Sequence, residues 1–175
     1  AETSKVAASA LLRGARGNSG VILSLLFRGF SKGLKEKTEA TGTDLAEALS
    51  EGVSAAYKAV MKPKEGTILT VARESAEKAQ EVAAQTNDAL TVFRAIAAQA
   101  EETLARTPEM LPVLKKAGVV DAGGKGFVVI VNAMLAVFEG GQVARPESTR
   151  PAEAPPPKRS AVAEGSGDIK YTYCT

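Results

Sequence analysis

Arg13-Gly14-Ala15-Arg16-Gly17-Asn18-Ser19-Gly20 is a run of small and polar residues that opens directly into the apolar segment 21–30. Its reading decides the rest of the chain. Within that segment Ile22, Leu23, Leu26, Phe27 and Phe30 recur at helical spacing, a wide stripe of the kind a buried helix face needs. A glycine-rich turn that feeds a helix start is also a physical recipe for holding an anion. Glycines let backbone N–H groups approach closely, Asn18 and Ser19 can cap or donate, and the helix N-terminus carries partial positive charge. The spacing is neither a P-loop nor a dinucleotide fingerprint, because no lysine follows the last glycine and no strand precedes the turn.

Working outward, the pattern predicts helices throughout. A short amphipathic helix over residues 4–13 carries Val6, Ala7, Ala10 and Leu11 on one face. The second helix, with Ser19 as its N-cap or first-turn residue, runs to about residue 37. The third covers 44–61 after the turn at 41–44, and Pro63 and Gly66 end it. A fourth covers 67–85, and Asn87-Asp88 caps a fifth over 89–106. Pro108 is read as the first-position proline of a short sixth helix that ends near Gly118. Asp121-Ala122-Gly123-Gly124-Lys125-Gly126 is a second glycine-rich turn, leading into a seventh helix over 127–139. That helix is apolar nearly all round and is therefore expected to be central. Its β-branched run 128–131 also suits a buried strand, but its length and surroundings favour helix.

Composition agrees with an all-α fold, an antiparallel helical barrel or bundle of about seven to eight helices. Hydrophobic residues make up 45% of the 175-residue chain and aromatics only 5%, which suits closely packed, alanine-rich helices over a sandwich. One helical domain over 1–140 is expected. A Pro/Ala-rich linker over 141–167, too polar to fold, follows it. Residues 168–175 alternate Ile, Tyr and Tyr and read as a strand-like start of a following domain. The helical pattern at residue 1 and the abrupt tail read as a segment of a longer protein.

Several function classes are excluded or disfavoured. The net charge of +2, with no basic stripe interleaved with aromatics, argues against nucleic acid as the main partner. There is no histidine, so His-based catalysis and His metal sites are excluded within the chain, and a lone cysteine gives no disulfide framework. No apolar run reaches the roughly 18 residues of a membrane span, and no signal peptide opens the chain, so a cytoplasmic location is expected. The sequence leaves the oligomeric state open, a homodimer included.

Three glycine-containing helix starts stand out: 17–20, Gly66-Thr67 and 121–126. If they meet at one end of the bundle they make a nucleotide rim. The first would cradle phosphates, Thr67 would donate its hydroxyl, and Asp121 would lie near the sugar or base. The same glycines serve equally as connectors between antiparallel helices, and on residue types alone the connector reading is favoured. Arg13 and Arg16 divide the same way, between phosphate ligands and solvated helix-end cations. Lys125 is a phosphate ligand on one reading and a solvated loop lysine on the other.

The order of these segments is more specific than any one of them. Residues 14–24, then Gly66-Thr67-Ile68-Leu69, then Val119-Val120-Asp121-Ala122-Gly123-Gly124-Lys125-Gly126 resemble the nucleotide-binding domain of dihydroxyacetone kinase, L-subunit type, in the version at the N-terminus of bacterial fatty acid kinase. The resemblance covers about residues 1–140. It implies a helical barrel with ATP at one rim and transfer of the γ-phosphate to a fatty acid carboxylate presented by a fatty-acid-binding partner protein. By matching motif, Asn18, Ser19 and Gly20 would contact the phosphates, Thr67 the nucleotide, and Asp121 and Gly123 its near side. The family's Mg²⁺ sits on an aspartate loop reading like Asp-Gly-Asp-Thr-Gly-Thr-Asn, upstream of the first helix here. No such loop occurs in these residues, so they supply no metal ligands and are expected to be inactive alone. Tyr171-Thr172-Tyr173-Cys174-Thr175 resembles the start of that kinase's central domain, where such a cysteine joins histidines on zinc; without histidine, a metal role for Cys174 is not supported. A small-ketose kinase subunit and a non-catalytic helical interaction module are the alternatives.

Overall fold

The computed structural model describes residues 2–141. Among them are seven helices and no strand: α1 (Glu2–Gly14), α2 (Gly17–Gly33), α3 (Gly42–Ala59), α4 (Ile68–Ala83), α5 (Ala89–Met110), α6 (Pro112–Ala117) and α7 (Ala122–Phe138). The linker and the strand-like tail expected after residue 141, with Cys174, lie outside the described residues. No helix among those described is long and apolar enough to cross a membrane.

Consecutive helices pack on one another from α1 through α5, and α7 closes against α5 and α4. The arrangement is up-and-down. At one end the starts of α3 and α5 are tied together, because Asn87 accepts the Gly42 amide on its carbonyl at 2.9 Å and both the Thr43 amide and hydroxyl on its side chain at 3.2 and 3.0 Å. The starts of α2, α4 and α7 share the opposite end.

The core forms where apolar stripes meet. Leu45, Leu49, Leu69, Val71, Val92, Phe93, Ile96 and Leu104 are buried between α3, α4 and α5, with Leu26 and Phe127 closing the cluster. These three helices are the centre of the fold, each burying eight residues. α7 buries only Gly124, Phe127, Val128 and Val131. The expectation that α7 is central is therefore overturned: Val129 and Phe138 are more than half exposed. An all-round apolar sequence fixed its helical state but not its place. Among the described residues one stripe of α7 finds neighbours, and Phe138 packs edge-on against Phe93 with ring centroids 4.9 Å apart.

Pro108 also differs from expectation. It lies inside α5, and the proline that begins α6 is Pro112. A mid-helix proline removes the N–H that would bond the carbonyl four residues back. Here that carbonyl, on Leu104, instead accepts the hydroxyl of Thr107 at 2.7 Å, so the helix runs on for another half-turn or so. Leu111, extended at φ −124° and ψ 105° as a pre-proline residue prefers, then ends it.

α3 opens with a capping box. The Thr41 hydroxyl accepts from the Asp44 amide, and the Asp44 carboxylate accepts from the Thr41 amide at 2.9 Å. The Lys37 ammonium also bonds that carboxylate. Lys37 first, then the two Thr41 donors, hold the Asp44 carboxyl down at about 2. The folded value lies below the unfolded one, so the charged form favours folding. This contribution is complete above about pH 4 and is lost as pH falls towards 2. Asp44→Asn is expected to flatten the acid limb of stability, measured as urea midpoints at about pH 5 and about pH 2.5. Parallel limbs in both proteins would refute it.

Candidate functional site

The glycine segments are not loops leading to helices but the first turns of the helices themselves. Gly17, Asn18, Ser19 and Gly20 open α2, with Arg16 in the N-cap position at φ −128° and ψ 118° making no side-chain cap bond. Gly17 takes φ +70°, which lets the chain turn sharply from α1 into α2. Ser19 is thus a first-turn residue. Asn18 and Ser19 are both exposed, whereas Gly20 faces back into the protein. A Cβ on Gly20 would meet Ala15 Cα at 3.2 Å, so its smallness serves the α1–α2 turn.

At α7 the helix begins one turn earlier than the apolar run suggested. Asp121 is the N-cap, and its Oδ2 accepts the Gly124 amide at 2.6 Å. Its own amide donates to the Thr107 hydroxyl at 3.1 Å. Gly123 and Gly124 therefore lie in a helical first turn, and Lys125 points from the same turn as an exposed residue. At α4, Thr67 is the N-cap in extended conformation, φ −121° and ψ 178°. Its side chain does not cap. Its hydroxyl donates to Lys64 O at 2.9 Å, so Thr67 can give that proton to a ligand only by exchanging this partner.

One position joins the three segments. A Cβ built on Gly123 would meet Ser19 Oγ at 3.1 Å, Asp121 Oδ2 at 3.2 Å and the Ile68 side chain at 3.4 Å. The first turns of α2 and α7 and the start of α4 thus face one another across a glycine with no side chain. The connector reading accounts for glycines at turns, but it does not require three helix starts from distant parts of the chain to converge. The opening N–H groups of a helix lack intrahelical acceptors, and the macrodipole adds positive potential there. Arg13, Arg16, Lys64 and Lys125 flank these starts in sequence, while the Asp121 carboxylate lies among them and caps the Gly124 amide.

Sequence reasoning missed two residues of this region. Thr70 and Thr107 are both fully buried and both hold rim backbone (Gly66 and Asp121 amides respectively). Thr107 was read as the lead-in to a helix, because threonine followed by proline marks a boundary more often than an interior. Its only signal in the sequence is a polar residue placed where a helix would lose a hydrogen bond.

The donor set for a metal is thin. Among the described residues no three His, Cys, Asp or Glu side chains are grouped so that they could hold an ion, and Asp121 is already engaged as a cap. The residues present do not make a Mg²⁺ site of their own.

Comparison with known families makes this a kinase-related helical domain. The chain belongs to the DAK2 domain family, whose model matches residues 1–136; the type is that of the dihydroxyacetone kinase L-subunit. Among curated proteins it is similar to Protein YloV of Bacillus subtilis, 46% identical with 94% of this chain and 31% of that protein covered. It is also similar to an uncharacterized protein of Staphylococcus saprophyticus, 44% identical over 99% of this chain and 32% of the relative. An uncharacterized protein of Staphylococcus aureus is 49% identical over 81% of this chain and 26% of the relative. The chain spans about a third of the length of the first two of these relatives.

Proposed function

We propose that this chain is the ATP-binding domain of a phosphotransferase, with the triphosphate seated on the rim formed by the starts of α2, α4 and α7. The observation that carries the reading is the convergence of Ser19, Asp121 and Ile68 on Gly123. Asn18 and Ser19 are the exposed donors of the α2 first turn, and the missing side chain at Gly123 lets that turn, Asp121 and Ile68 approach one another closely. The acceptor we infer is a fatty acid carboxylate presented by a fatty-acid-binding partner. A carboxylate oxygen would attack the γ-phosphorus, the bond to the ADP oxygen would break, and acyl phosphate and ADP would leave. This acceptor rests on the motif resemblance. The family equally supports a small ketose, whose hydroxyl would lose a proton in the same displacement. The described residues form no metal cluster, and we assign the chemistry to the longer protein.

Calorimetric titration of that longer protein with ATP in the presence of Mg²⁺ tests the reading. Saturable binding is expected, and Ser19→Ala should weaken it about fivefold, the equivalent of one neutral hydrogen bond at about 1 kcal/mol. Absence of any heat or thermal shift at millimolar ATP would leave the non-catalytic interaction module instead. Phosphate release from ATP that depends on fatty acid or on dihydroxyacetone separates the two acceptors.

A further inference from the structure

Two buried hydroxyl groups sit behind the rim in an uncommon arrangement. A threonine inside a helix ordinarily donates to the carbonyl three or four residues back. Thr70 does the reverse. The residue four back is Gly66, held at φ +79°, and its amide donates to Thr70 Oγ1 at 2.9 Å. The Thr70 proton goes to Glu65 Oε2 at 2.8 Å, and the same oxygen accepts from Arg73 Nη2 at 3.1 Å. A hydroxyl has one proton. With that proton committed to a carboxylate that Arg73 also bonds, Oγ1 can offer Gly66 only a lone pair. Thr107 completes the pattern on the other side. It donates to Leu104 O at 2.7 Å and accepts the Asp121 amide at 3.1 Å. The Gly66 turn also lies against α5 at this residue, since a Cβ on Gly66 would lie 3.0 Å from Thr107 O.

We infer that Thr70 and Thr107 are positioning residues that set the Gly66-Thr67 and Asp121 segments in their ligand-binding form before a ligand arrives, with Glu65 and Arg73 fixing the polarity of Thr70. The inference rests on the reading of the rim as the nucleotide site. Valine is nearly the shape of threonine and removes only the hydroxyl, while serine keeps it. Either valine leaves one rim amide without an acceptor, which loosens the segment that carries it.

The test combines residue-resolved amide hydrogen exchange of the 175-residue chain without nucleotide, and ATP affinity of the longer protein with Mg²⁺. Thr70→Val should speed exchange at Gly66 at least tenfold and leave Asp121 within about twofold; Thr107→Val should do the converse. Each valine variant should weaken ATP binding roughly three- to tenfold, and each serine variant should restore both readouts. Glu65→Ala removes the acceptor that holds the Thr70 proton and should speed Gly66 exchange with the hydroxyl still present. Unchanged exchange in the valine variants overturns the inference. So does faster exchange with unchanged affinity, which would make the hydroxyls purely structural. If the valine variants fail to fold, Glu65→Ala decides, and wild-type exchange at Gly66 in that variant overturns the polarity argument. A wild-type protein that binds no ATP overturns the proposed function, while the exchange data still decide whether the threonines hold the loops.

Discussion

Alanine at Gly29 or Gly52 is expected to lower stability by about 2 kcal/mol, even though alanine is the better helix former. The reason is the seam between α2 and α3. A Cβ on Gly29 would lie 2.4 Å from Gly52 Cα and 2.7 Å from Glu51 O; one on Gly52 would lie 2.5 Å from Leu26 O. One turn further along, a Cβ on Gly33 would lie 2.5 Å from Ala48 Cα. These neighbours are backbone, so no side chain can swing aside and the helices must part. Overpacking a tight interior costs roughly 1–3 kcal/mol, and rigid backbone on both sides puts this case at or above the top of that range. The gain in helix propensity offsets at most about 1 kcal/mol. For a domain of this size the net loss lowers the thermal midpoint by about 4–8 °C. The double variant should lose less than the sum, because helices already parted for one methyl admit the second. Gly126→Ala is the control: nothing lies within 4 Å of its Cβ position, and that change should be neutral or mildly stabilising. A midpoint unchanged in Gly29→Ala and Gly52→Ala would mean that the helices do not meet as closely as described.

Gly123→Val should weaken nucleotide binding more than tenfold, well beyond its cost to folding of about 1–3 kcal/mol. Its Cβ would stand within 3.1–3.4 Å of Ser19 Oγ, Asp121 Oδ2 and the Ile68 side chain, and the two further methyls would fill the space between the helix starts. The Ser19 hydroxyl is the end of an exposed side chain and can swing away, but Asp121 Oδ2 is held by its cap bond to the Gly124 amide and Ile68 is buried, so the helix starts must shift to admit the group. The expected cost to folding is about 1–3 kcal/mol, the overpacking range. Calorimetry with ATP and a urea titration, run on the same variant, check the two halves. Retained affinity would remove Gly123 from the site and with it the observation on which the nucleotide reading stands.

Much of this was legible in the sequence. Apolar spacing in residues 22–30 and turn chemistry at 41–44 and 87–88 gave the helices to within a few residues. The three glycine segments were visible as a set, and the structure brings Ser19, Asp121, Gly123 and the start of α4 together. What stayed hidden depends on distance across the fold. Gly29 and Gly52 look like poor helix formers until α2 and α3 are laid side by side. Hydropathy could not show that α7 has neighbours on one side only. Pro108 read as a helix start because nothing local reveals that Thr107 supplies the missing hydrogen bond. The direction of the Thr70 hydroxyl follows from Glu65 and Arg73, and only the left-handed turn at Gly66 brings those groups into line.

The stitching of α3 to α5 through Asn87 has a mechanical meaning. Three hydrogen bonds converge on that one residue at the pole away from the rim, two of them on its side-chain oxygen. The bundle is therefore pinned at its base, like a bouquet tied at the stems. At the rim pole the Thr107 hydroxyl accepts the Asp121 amide and ties α5 to the start of α7. α5, the longest of the described helices, is thus a strut braced at both poles.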